Sequence, residues 1–71
     1  MADSVYRVTE LIGTSTQSWE AAAKHAIETA AKSLRELRVA EVVEQDMTID
    51  EGKVTSYRVK LNVSFKYEPE K

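Results

Sequence analysis

The sequence predicts an α+β fold, a β-α-β-β chain in which one helix lies on a sheet containing a long hairpin. Three observations carry this reading. Residues 57–67 alternate apolar and polar side chains without a break, residues 39–49 form a second β-rich run joined to their strand by turn chemistry, and apolar residues between that run and Gly13 recur at helical spacing.

The first strand is Val5 to Ile12, VYRVTELI, rich in β-branched residues and followed by Gly13. Helix-start chemistry comes next: Thr14 with Gln17 fits a capping box, and Ser15 is an alternative N-cap. From Trp19 onward Ala22, Ala23, Ala26, Ile27, Ala30, Leu34 and Leu37 form an apolar stripe, while Glu20, Lys24, Glu28 and Lys32 form an opposite-charge ladder on another face. The many alanines make that stripe thin, so the helix can lie close to a sheet but buries little area. Val39–Ile49 and Val54–Tyr67 are the second and third strands, with Asp50, Glu51, Gly52 and Lys53 turning between them.

A two-residue loop at Glu51 and Gly52 sets Gln45 opposite Arg58, Val43 opposite Lys60, Glu41 opposite Asn62, Ala40 opposite Val63 and Val42 opposite Leu61. That register puts Val39, Glu41, Gln45 and Arg58 on the sheet's outer face. It also leaves Glu44 and Asp46 on the helix side, a placement that a β-bulge or the end of the helix layer would relieve.

The 71 residues form one domain, 1–71, without a cysteine and with a single histidine, His25, so disulfides, thiolate metal sites and histidine clusters are excluded. A core this small calls for help, and a fourteen-residue strand of about 48 Å outruns a domain of this size. Self-association supplies both. Ten Lys plus Arg against twelve Asp plus Glu, net charge -2, offer no basic field for nucleic acid or anionic membrane. The start MADSVYRV lacks an apolar leader and the longest apolar runs fall far short of a bilayer span, so a soluble, cytoplasmic protein is expected.

Glycine occurs only at positions 13 and 52, which rules out phosphate-cradling loops. Ser15 and Ser18 stand where caps stand, and His25 lies off the apolar stripe, so no nucleophile, base and orienting group come together and an enzyme is not expected. Asp46, Thr48 and Asp50 have the odd-position oxygens of a calcium loop. Gly52 and Tyr57 then break the EF-hand pattern, leaving a looser Ca²⁺ or Mg²⁺ site using Glu44, Asp46 or Asp50, or else a solvated acidic strand. Trp19 continues the core stripe. Arg58 has two open readings: an ion pair across the hairpin with Glu41 or Gln45 as neighbours, or a clamp on an anionic ligand.

Taken together, the Gly13-Thr14-Ser15 turn, the Val5-Tyr6-Arg7-Val8 start, the Arg38 to Gln45 strand and the Val63-Ser64-Phe65 ending resemble the dodecins over nearly the whole chain. The resemblance implies a three-stranded antiparallel sheet packed on one helix, twelve subunits assembled as a dodecameric shell (a homododecamer), no catalysis, and storage of a small-molecule flavin between subunits. FMN or riboflavin would then meet Val39, Glu41, Gln45 and Arg58. Where flavin-binding dodecins carry a stacking Trp this chain has Val39, and where they carry a glutamine it has Arg58. In this it looks like the branch without the Trp, some of whose members are associated with calcium. The expectation is therefore a flavin-type cofactor in an altered pocket, with a calcium-binding or structural shell as the alternative.

Overall fold

The computed structural model describes residues 3–67. The elements run β1 (Tyr6–Ser15), α1 (Trp19–Ala30), β2 (Leu37–Asp50) and β3 (Lys53–Lys66), in a three-stranded antiparallel sheet of order β1-β3-β2. The strand with the cleanest alternation is thus the central one. Val59, Leu61 and Val63 of β3 point into the core, with Ala22 of the helix buried against them and Leu11, Trp19, Ala26 and Ile27 around the margin.

Gly13 ends no strand. β1 continues through it to Ser15, and Gly13 pairs with Val59 on the helix-facing side. A Cβ there would lie 2.2 Å from the Ala22 carbonyl oxygen and 2.9 Å from the Ala26 Cβ. Glycine on the strand and alanine on the helix together let the two backbones meet.

The helix is also shorter than its stripe suggests. Ser18, not Thr14 or Ser15, is the N-cap, its Oγ accepting from the Ala21 N–H at 2.9 Å, while Ser15 Oγ accepts from the Gln17 N–H. At the other end the Ser33 and Leu34 amides both return to the Ala30 carbonyl, and Glu36 turns the chain with φ 61°. The apolar spacing runs on across this turn by accident, because Leu37 opens β2 and reaches the core from the sheet.

The helix packs over β1 and β3. Apart from Leu37, β2 is exposed along its length, and Val42 and Met47 stand uncovered. The molecule measures 54 × 20 × 15 Å with a radius of gyration of 14.8 Å, against about 11 Å for a compact chain of this length. Its accessible surface is 5651 Å², where a monomer of 8.0 kDa is expected to show about 4,450 Å². An isolated subunit therefore exposes far more than a stable monomer of its mass would.

Candidate functional site

Pairing within the hairpin decides which side chains share the outer face. Near Ala40–Val63, Glu41–Asn62 and Val42–Leu61 the register is the one the turn predicts. Beyond Val42 it steps by one residue: Val43 is extra, Glu44 pairs with Lys60, Gln45 with Val59 and Asp46 with Arg58. The expected Gln45–Arg58 and Val43–Lys60 pairings are therefore corrected. Gln45 shares the side of buried Val59 and leaves the outer face, while Glu44 and Asp46 move onto it, each opposite a cation. The bulge spares two carboxylates the helix-facing side of the sheet and matches like with unlike across the strands.

The outer face consequently carries a mixed charge array. Arg58 holds Asp46 through both arms, Nε donating to Oδ1 at 2.8 Å and the second nitrogen donating to Oδ2 at 3.0 Å. Neither Glu41 nor Gln45 is its partner. Lys60 lies 3.6 Å from a Glu10 oxygen on β1. Ile12, Glu44, Asp46, Arg58 and Lys60 line a depression of about 140 Å³, well below the roughly 300 Å³ at which ligand pockets begin.

The Arg58 guanidinium, chiefly by hydrogen bonding, holds the Asp46 carboxyl below the usual carboxylate range, and Asp46 in turn stabilises the charged form of Arg58. A depressed carboxyl contributes stability that is complete above its unfolded value, about 3.9, and lost as pH falls through the lower folded value. Wild type should therefore lose melting temperature below about pH 4 more steeply than Asp46→Asn does. Parallel melting curves for the two chains between about pH 5 and pH 2 would refute this. Both side chains are exposed, so the difference is small.

The remaining predicted residues lie apart. Val39, 61% exposed, pairs with Ser64 at one end of the face, and Glu41 pairs with Asn62. Ser64 and Arg58 are six residues apart on β3, about 20 Å at ~3.4 Å per residue. One small ligand cannot touch both Val39 and Arg58 of a single chain. Asp50 pairs with Lys53 beside the turn, six residues from Glu44 along β2. Among the described residues no three acidic or histidine side chains gather as a metal cluster.

Sequence reasoning missed two participants, Ile12 at the rim of the depression and Trp19, whose indole N–H donates to the Asp46 carbonyl at 3.0 Å. Matching the cations of β3 against the acids of β2, instead of counting back from the turn, would have shown the stepped register.

A family model for Dodecin matches residues 5–68. The chain is 52% identical over 66 residues to calcium dodecin of Mycobacterium tuberculosis, covering 93% of each, and 45% identical over 64 residues to dodecin of Thermus thermophilus, covering 90% of this chain and 93% of that one. Among solved structures, dodecin from Streptomyces coelicolor superposes with a TM-score of 0.92 at 34% identity, covering 99% of this chain and all of that one. The calcium-chelating antigen calcium dodecin of M. tuberculosis, described as having a novel calcium-binding site, superposes with a TM-score of 0.81 at 52% identity, covering 96% and 97%.

Proposed function

The chain belongs to the dodecin family, and from that premise we propose that it is a non-enzymatic, self-assembling shell of twelve subunits that binds calcium through outer-face carboxylates and holds flavin weakly or not at all. The observation that carries this reading is the Arg58–Asp46 pair. Arg58 stands where the flavin-binding resemblance would have a neutral amide, and both arms of its guanidinium are committed to a carboxylate. Val39, at the position of the stacking ring, offers no aromatic face. The identity with a relative named calcium dodecin supports the cation in place of the flavin.

The donor set suits calcium once copies are brought together. Glu41 and Glu44 have no ion-pair partner among the described residues and lie on the face left open by the subunit. Calcium takes about six to eight oxygens in flexible geometry, more than one chain supplies, so carboxylates of adjacent subunits must complete the shell of ligands. A bound calcium would screen acids that assembly crowds together, and the residues' own part is to hold those oxygens outward on a rigid ladder.

Calorimetric titration of chelator-treated protein should give a saturable heat with Ca²⁺ and a weaker one with Mg²⁺, which demands tighter octahedral geometry. Glu41→Gln with Glu44→Gln should abolish the calcium heat. Absence of heat in wild type would end the calcium reading. In a parallel fluorescence titration, Val39→Trp with Arg58→Gln should bind FMN more tightly than wild type, and any residual wild-type binding should favour FMN over riboflavin because guanidinium recognises phosphate.

A further inference from the structure

Rows taken across the outer face of the sheet, from β1 through β3 to β2, give its charge layout. Glu10, Asn62 and Glu41 form one row, Ile12, Lys60 and Glu44 the next, and Thr14, Arg58 and Asp46 the third. Lys60 therefore stands at the centre with acids on both sides. Its direct cross-strand neighbour is Glu44. Directly opposed side chains are the closest in a sheet, with Cβ atoms about 4.5–5.5 Å apart, whereas diagonal neighbours stand at roughly 7–8 Å. Proximity alone would pair Lys60 with Glu44. The amine lies instead 3.6 Å from an oxygen of Glu10, on the diagonal and on the other strand.

We propose that Glu10 is a positioning residue for the cation face: it draws Lys60 toward β1 and so keeps the Glu44 carboxylate open to a divalent ion. Its consequence rests on the calcium reading of that face; the Lys60 contact does not. Two neighbours bias Lys60 the same way. Arg58 follows it on the same face of β3 and repels it, and Glu44 is close enough to Arg58 to favour the charged form of that guanidinium. Both arms of Arg58 are held by Asp46, so its charge stays on the β2 side and leaves β1 to Lys60. Ile12, directly opposite Lys60 on β1, carries no charge and does not compete with Glu10. Without Glu10 the acid next in register to Lys60 is Glu44, and a divalent ion would have to displace the amine to reach it.

Carbodiimide coupling, which joins an amine to a touching carboxylate without a spacer, tests the contact in calcium-free protein. Peptide mapping of the single-chain band should show Lys60 joined chiefly to Glu10 in wild type and chiefly to Glu44 in Glu10→Gln. Calorimetric titration with Ca²⁺ alone then tests the consequence. Glu10→Gln should weaken binding about threefold, the scale that an exposed ion pair supports, and in a Lys60→Met background the same substitution should leave the affinity unchanged. A loss of equal size in both backgrounds would mean that Glu10 acts as a ligand or by its charge alone, and would overturn the proposal. So would a Lys60–Glu44 product that dominates in wild type. Wild type that gives no calcium heat yet shows this change of crosslink would remove the proposed function and leave the Lys60 contact standing.

Discussion

Gly13→Ala is expected to destabilise the subunit by about 3 kcal/mol, the upper part of the range for overpacking a close contact. The new methyl would meet a backbone carbonyl, the Ala22 oxygen, at 2.2 Å. A carbonyl cannot rotate out of the way as the end of a side chain can. The helix must back off from β1, and Ala22, which is wholly buried, then loses contact with Val59 and Leu61. Ala26→Gly in the same chain removes the second clash at 2.9 Å but not the first, so it should restore little. Chemical denaturation of the three chains tests this. A Gly13→Ala protein as stable as wild type would mean that strand and helix are not in backbone contact.

Leu61→Ala should cost about 2 to 5 kcal/mol, since the side chain is 1% exposed at the centre of the core cluster and its loss leaves a cavity. Leu61 is flanked by Leu11 on β1 and Val42 on β2, two strands whose only partner in the sheet is β3. Val42→Ala makes the useful contrast. Val42 is 52% exposed in the subunit, so in a lone chain its truncation should matter much less than that of Leu61. If assembly covers β2, the gap between the two variants should narrow under conditions where the shell is intact. Denaturation at high and low protein concentration reads both terms, because partner binding adds to apparent stability by mass action.

What the sequence showed of this fold depended on how local each cause was. The β3 alternation needs no information beyond neighbouring residues, and it located the buried row Val59, Leu61 and Val63 correctly. The hairpin turn was equally legible, with Glu51 and Gly52 both at positive φ. Register was legible only next to that turn and near Ala40, because two offsetting bulges leave no mark on the turn and are accompanied by side-chain contacts made across the sheet. Gly13 was visible, but its reason was not. A glycine that ends a strand and one that admits a helix look alike in sequence, and only the helix's position tells them apart. The outer-face residues Val39, Glu41 and Arg58 were placed on the right side by parity, whereas Gln45 was lost to the step at Val43.

Beyond the Ser15–Tyr57 pairing there is no β1, and the hairpin continues past Ser56 as two strands alone. Such a ribbon is at best marginally stable in water, so its order depends on what it leans against. Amide hydrogens at Ile49 and Val54 should accordingly exchange through local fraying, at a rate set by how many neighbours are docked. Those at Val59–Val63 open only when the subunit itself does. One short chain thus holds two separable cooperative units, and the outer one is a gauge of crowding by its own kind.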